Sequence, residues 1–398
     1  MKGKRNTVSR LLRNKGAFFG LVVIAAALIV AVIAYFIAPD RSPDGNRIIV
    51  EIGGRKPGFS ELFLLVRKRQ SPPSVSFVHQ LLYGREDAFD YLPINSCFLQ
   101  GDSVIVEKFI DEGVAERRSF PLERLLPSGD AAGPDSSDQP TARDSAHPAG
   151  SRQPGSQDVA GSYRRLQGIA PPIKTQTFWL GTDKYGRDIL SRLLIGVRIS
   201  LAVGMITVLL SLTVGVLLGA LAGYFGGRVD EIILWLVNVI WSIPTLLLVF
   251  AIMLVLGKGF WQVFIAIGLT LWVNVARIVR GQVLALRERE FVEAARALGY
   301  SNGRILFRHI LPNVMGPVWV VAASNFASAI VIEAGLSFLG VGVQPPQPSW
   351  GLMIKENYNF IITHNPVLAL APGLAIMVLV LAFNLLGNGL RDALDARA

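Results

Sequence analysis

Cysteine, charge and catalytic motifs are what this sequence has least of. Cys97 is the single cysteine among 398 residues, so no intrachain disulfide can form. Charged residues make up 17% of the chain, well below the roughly 25% of ordinary soluble domains. The histidines His79, His147, His309 and His364 show no metal-ligand spacing, so neither metal nor cofactor is expected. There is no Gly-x-x-x-x-Gly-Lys-Ser/Thr loop, which excludes ATP binding at a Walker site. His-Glu-x-x-His and Gly-x-Ser-x-Gly are missing too, leaving membrane-embedded catalysis without its groups. A basic soluble domain is also lacking, so the net charge of +10 does not point to nucleic acid.

What the chain has instead is apolar length. Hydrophobic residues make up 51% of it, gathered into uncharged runs at Ala17–Ala38, Ile199–Phe225, Ile232–Gly257, Gly259–Ala276, Asn313–Ile332 and Pro366–Leu390. A helix needs roughly 20 apolar residues to cross a ~30 Å hydrocarbon core. Gly259–Ala276 reaches that length with its flanks and the others do so alone. The expected fold class is an all-α polytopic membrane protein with six transmembrane helices. The first run is too long for a signal-peptide core and Ala38-Pro39-Asp40 is a poor cleavage site, so it reads as an anchor. Lys2, Lys4, Arg5, Arg10, Arg13 and Lys15 precede it without an acid. Between the fourth and fifth runs stand Arg277, Arg280, Arg287, Arg289, Arg296, Arg304 and Arg308 against Glu288, Glu290 and Glu293. The opposite short loops carry only Lys258, Lys355 and Glu356. The positive-inside rule then puts both termini in the cytoplasm.

The layout expected is a basic cytoplasmic tail at 1–16, transmembrane helix 1 at 17–38, a periplasmic inserted module at 39–126, a flexible linker at 127–170, a juxtamembrane outer segment at 171–198, and a core at 199–398. Within the module, Arg47–Ile52, Leu62–Val66 and Val104–Phe109 are strand-like and Val75–Leu82 suits a short helix, making a small α+β insert. The linker is rich in Ser, Gly, Pro, Ala and Asp and cannot repay ordering entropy. Leu190, Leu193, Leu194 and Val197 recur at helical spacing with Arg187, Ser191, Arg192 and Arg198 off that face. This predicts a helix lying on the outer membrane surface.

Among the spans, Gly215, Gly219 and Gly223 repeat every fourth residue and predict close helix packing. Pro244 should kink the third span, which either shapes a path or only fits the bundle. Glu333 falls some 30 Å along the fifth span from Pro312 at ~1.5 Å per residue. There it either meets substrate or sits hydrated. Carboxylates are otherwise missing from the span interiors, which disfavours an ion-coupled secondary transporter, the rival of a different class.

The segment from Glu293 through Ala294, Ala295 and Gly299 to Arg304, Leu311 and Pro312 is good helix material interrupted by a glycine that can take positive φ. It resembles the EAA loop of importer-type ABC transporter permeases, here at 290–312, although His309 stands where that pattern is apolar. Upstream, Gly181, Thr182, Asp183, Gly186, Arg187, Asp188, Ser191 and Arg192 resemble the segment before the second span in C-type permease subunits of the dipeptide, oligopeptide and nickel importer family. Glu333–Gly340 and Pro348–Gly351 fit the same family. The resemblance covers about 175–395 and implies a binding-protein-dependent transport component of the bacterial inner membrane. It implies no catalysis by this chain, and as partners a second homologous permease, two ABC ATPase subunits and a substrate-binding protein. Import would proceed by alternating access, with peptides or, in the same family, nickel or another small ligand as cargo. The insert at 40–170 departs from the family's usual shorter loop, and its module at 47–126 is expected to help dock or cap the binding protein.

Overall fold

The structure, a computed structural model, describes residues 9–70, 72–100, 103–111, 113–121, 125, 173–257, 259–362 and 365–394. The linker expected at 127–170, the first half of the basic tail, Lys258 and His364 lie outside the described residues.

Helices dominate the described residues. Five are long and apolar enough to cross a membrane: α1 (Lys15–Ile37), α3 (Ile189–Phe225), α6 (Phe260–Arg287), the stretch Asn302–Leu339 that contains α8 (Leu311–Leu339), and α10 (Val367–Leu394). Asn14 starts α1 by accepting the Gly16 and Ala17 N–H groups, and Asp188 starts α3 by accepting that of Ser191. Both are the N-cap chemistry that satisfies orphan donors.

The third predicted run is not a single helix. It is divided between α4 (Gly227–Trp241) and α5 (Thr245–Leu256), which meet at 95°. Pro244 has no N–H to donate, and its ring disfavours helical backbone at Ile243. The expected kink is therefore a break, and the helices number six only if this bent pair is one span. A second difference lies before the second run. Residues 189–198 do not form a separate surface helix but the first turns of α3: no proline interrupts them, and their one glycine, Gly196, is buried within the helix.

The bundle is held by close backbone approaches. A Cβ on Gly215 would stand 2.7 Å from the Trp272 carbonyl oxygen, one on Gly219 2.5 Å from that of Ala276, and one on Gly223 2.8 Å from that of Arg280. All three glycines of α3 thus lie against α6. On another side of α3, Phe326 of α8 stacks on Phe383 of α10 with centroids 3.9 Å apart, inside an apolar cluster that also takes in Ile24 of α1 and Leu201 of α3.

The insert is a five-stranded antiparallel sheet in the order β4-β3-β2-β1-β5, built from β1 (Phe59–Arg67), β2 (Phe89–Gln100), β3 (Ser103–Asp111), β4 (Val114–Pro121) and β5 (Ile173–Phe178). A seven-residue helix, α2 (Phe77–Tyr83), links β1 to β2. Leu64 pairs with Leu92 on one side of β1 and with Ile173 on the other. The sheet therefore takes an edge strand from beyond residue 126. Arg47–Ile52, expected as a strand, ends in a 3-10 turn at Val50–Ile52. Its backbone is engaged elsewhere: the Ile49 N–H donates to the Tyr185 carbonyl at 3.1 Å, and the Ile52 carbonyl accepts the Thr182 hydroxyl.

Candidate functional site

Two groups of sequence-predicted residues come together, at opposite ends of α3. The first is the charged segment between α6 and α8. Here α7 (Glu290–Ala297) has acids in its first turn, Glu290 and Glu293, which favour the positive end of the helix dipole. The Gly299 N–H donates to the Arg296 carbonyl at 2.9 Å and the Tyr300 N–H to the Ala295 carbonyl at 3.1 Å, with Gly299 at φ 75°. That pair of bonds is a Schellman motif, which closes a helix with a left-handed residue. Its apolar side is rooted in the bundle. Val292 and Ala295 are buried with Ile305, Leu306 and Ile310 against Val275, Val279 and Val283 of α6.

The opposite side is open. Glu293, Ala294, Arg296, Gly299 and Arg304 are exposed, and Leu298 and Phe307 are 72% and 60% exposed. Arg304 lies over the Tyr300 ring at 5.2 Å, and Tyr300 stacks on His309 at 5.7 Å. His309 thus serves as a flat stacking partner where an apolar residue was expected. Ala295 faces inward, and Leu311 and Pro312 stand at the base of the projection. The helix that follows Gly299 runs on past Pro312. Asn302–Arg304 passes through a π-helical turn at Ile305–Ile310 straight into α8. The proline lacks the N–H a regular turn would use, and a wider turn accommodates that loss. The Asn313 side chain donates to the His309 carbonyl at 2.7 Å.

At the other end of α3, the predicted motif is largely buried rather than solvent-facing. Arg187 is 3% exposed, and Thr182, Asp183, Ser191 and Arg192 are fully covered. Asp183 accepts the Arg187 Nε at 2.6 Å and the backbone N–H groups of Tyr185 and Arg187. Arg187 also donates to Asn46 at 3.2 Å and to Glu356 at 2.7 Å, and Arg192 reaches Glu356 at 3.4 Å. Ser191 donates to Asp188 and accepts the Asp40 N–H at 2.8 Å. Burial pushes the Asp188 carboxyl up, against the lowering effect of its Ser191 hydrogen bonds. Burial likewise raises Asp44, opposed by the nearby charges of Arg192 and Arg198. Gly181 and Gly186, at φ 80° and 74°, let the loop press on the insert's backbone: a Cβ would fall 2.3 Å from the Arg55 carbonyl oxygen and 1.7 Å from that of Ile49.

Asp40, Asn46 and Glu356 were not among the predicted site residues. Glu356 sits in α9 (Trp350–Asn357), and its one sequence signal is to be the lone acid of a short loop. Glu333, expected to be hydrated or substrate-facing, is 1% exposed and accepts the Ser337 hydroxyl at 2.6 Å. The loop at 340–349 covers it: the Val343 N–H donates to the same Ser337 oxygen at 3.0 Å.

The family described as "Binding-protein-dependent transport system inner membrane component" matches residues 215–398, and the "N-terminal TM domain of oligopeptide transport permease C" matches residues 5–48. The oligopeptide transport system permease protein OppC of Bacillus subtilis (strain 168) is 43% identical over 232 residues, covering 58% of this chain and 75% of that protein. The glutathione transport system permease protein GsiD of Pectobacterium atrosepticum is 44% identical, covering 55% and 72%. The dipeptide transport system permease protein DppC of Alkalihalophilus pseudofirmus is 43% identical, covering 58% and 75%. A chain of the inward-facing MetNI methionine ABC transporter aligns at 20% identity with a TM-score of 0.42, over 51% of this chain and 96% of that one, too distant to bear on the argument. With such identity over about three quarters of the relatives' length, the chain belongs to the binding-protein-dependent transport system inner membrane components, the permease subunits of ABC importers.

Proposed function

We propose that the chain is one half of the pore of an importer that carries di- or oligopeptides across the bacterial inner membrane. The observation that carries this reading is α7: a short helix rooted in the bundle through Val292 and Ala295, capped at Gly299, with Glu293 and Ala294 exposed. A stiff projection with an open polar face is suited to receiving a push. The names of the relatives support peptide as the cargo. Two separate ATPase chains bind the projection, a second homologous permease completes the pore, and a binding protein delivers substrate on the insert's side. The chain itself hydrolyses nothing. ATP-driven closure moves α7, and the spans tilt to open the path outward. Six spans, with the bent pair as the third, put both termini and α7 in the cytoplasm and the insert in the periplasm, as the basic residues favour.

The test is uptake by the reconstituted importer. No heavy atom lies within 4 Å of where a Gly299 Cβ would stand, so Gly299→Val strains only the left-handed backbone, by about 1–2 kcal/mol, and leaves the bundle intact. Gly299→Val and Glu293→Lys should reach the membrane at normal abundance, co-purify with less ATPase, and lose peptide uptake. Normal uptake and ATPase retention in both variants would overturn the coupling role.

A further inference from the structure

The insert turns most of its apolar residues inward, but α2 does not. None of its residues is buried, and Phe77, Val78, Leu82 and Tyr83 are 67, 58, 45 and 61% exposed. So much exposed apolar surface on two turns of helix marks an interaction site.

Its position identifies the partner. The Phe77 ring lies 5.5 Å from that of Phe36, the penultimate residue of α1. A 23-residue helix rises about 34 Å, so Phe36 stands at the rim of a ~30 Å hydrocarbon core. α2 is also held by Arg198, whose Nη1 donates to the Leu81 carbonyl at 3.1 Å. Arg198 directly precedes the uncharged run that begins at Ile199. These two contacts, one from α1 and one from α3, set α2 at one depth, the boundary between hydrocarbon and headgroups.

The surrounding charge fits that depth. Arg41, Arg69 and Arg85 are exposed and Lys68 is half-buried. The Arg85 N–H donates to the Arg41 carbonyl at 2.9 Å and the Lys68 N–H to the Ala88 carbonyl at 3.0 Å, which brings these basic segments together just beyond the C-terminal end of α2. Glu86 and Asp90 are exposed acids beside these four cations, while Asp87 is paired with Arg47. An apolar helix face flanked by Arg and Lys is how amphipathic segments lie in a membrane interface. Phe and Tyr beside a span end suit the same zone.

We propose that α2 is a membrane foot. It buries Phe77, Val78, Leu82 and Tyr83 at the headgroup–acyl boundary of a bilayer containing anionic phospholipid, with Arg41, Lys68, Arg69 and Arg85 on the phosphates. The insert then lies against the membrane instead of standing free above it. Lipid is the occupant because the surface continues the outer face of α1, where Val22, Ile29 and Val32 are exposed. The proposal rests on the reading of α1 and α3 as spans.

The test uses the full-length chain with Cys97→Ala, in nanodiscs of phosphatidylcholine with or without phosphatidylglycerol. An environment-sensitive fluorophore is placed at Val78→Cys, at Ile29→Cys as a reporter of α1, or at Arg117→Cys on the exposed strand β4. Lipids spin-labelled near the headgroup serve as quenchers for position 78, and lipids labelled deep in the chain for position 29. The expected result is blue-shifted, quenched emission at 78, stronger with phosphatidylglycerol, and water-like emission at 117. Water-like emission at 78 with position 29 quenched overturns the foot and leaves the spans standing. A label at 78 shielded from water but untouched by quencher lipids means a protein occupant, and overturns the foot equally. Failure of quenching at 29 overturns the span reading and the foot with it.

Discussion

Glu356 holds two arginines at once, Arg187 at 2.7 Å and Arg192 at 3.4 Å. For Arg192, fully buried, that carboxylate is the salt-bridge partner found among the described residues. Its Nε and Nη1 meet no acceptor there. Removing one member of a buried pair leaves an uncompensated charge and costs about 3–5 kcal/mol. Asp183 stays on Arg187, so Glu356→Gln should lie near the lower end, about 3 kcal/mol. Thermal unfolding of the purified chain in detergent should show a clear drop in midpoint, with none for Glu288→Gln, whose side chain is 68% exposed. An unchanged midpoint for Glu356→Gln would remove the clamp role. The motif itself was legible as a run of residue types, but its burial was not. Helical spacing placed Arg187 and Arg192 off the apolar face, and so toward water. The carboxylate that covers them is 169 and 164 positions away, and no local pattern reports such a contact.

Between elements, the contact of α3 with α6 depends on the absence of side chains. A Cβ at Gly219 would stand 2.9 Å from the Ala276 Cα as well as 2.5 Å from its carbonyl oxygen. Neither atom can swing aside. Gly219→Leu should force the helices apart at about 1–3 kcal/mol or more, the scale of overpacking. Gly281→Leu, on α6 with nothing within 4 Å, should be neutral. Membrane abundance and unfolding temperature of the two variants make the comparison, and equal behaviour would contradict the packing. The four-residue spacing was readable because it repeats one face of a helix, whereas the partner helix was not. Pro244 was readable as a bend, since a missing donor is a local property. Its 95° came from two separately packed segments: Val237 sits with Trp272 and Val273, and Val249 and Met253 with Phe264 and Ile267. In the insert, β1 and β3 announced themselves through Leu64, Val66, Val104 and Val106, all buried. Strand β4 did not, because nearly every residue of Val114–Pro121 is exposed and an edge strand needs no apolar alternation.

At the scale of the whole molecule, pairing across the sheet joins parts of the chain that are far apart in sequence. Strand β5 pairs with β1 from Phe59↔Phe178 to Leu64↔Ile173, and α3 packs with α1 and α10. A specific protease site inserted near residue 145 should therefore give two fragments on cleavage that stay together. Both should co-elute from a sizing column in mild detergent and separate only on denaturation. Fragments that part in mild detergent would contradict the sheet order. The connectivity of helix α3 carries a further consequence. It begins at the buried arginines and ends at Tyr224, whose hydroxyl donates to Asn302 at 2.9 Å and whose carbonyl accepts Arg287 at 3.2 Å. Its 37 residues contain no proline and rise about 55 Å. Such a rod has no joint at which to absorb displacement. A tilt of ~5° about the clamped end carries the far end through about 5 Å, roughly one helical turn, so a small rotation held by Glu356 and two arginines becomes a stroke at the α7 projection.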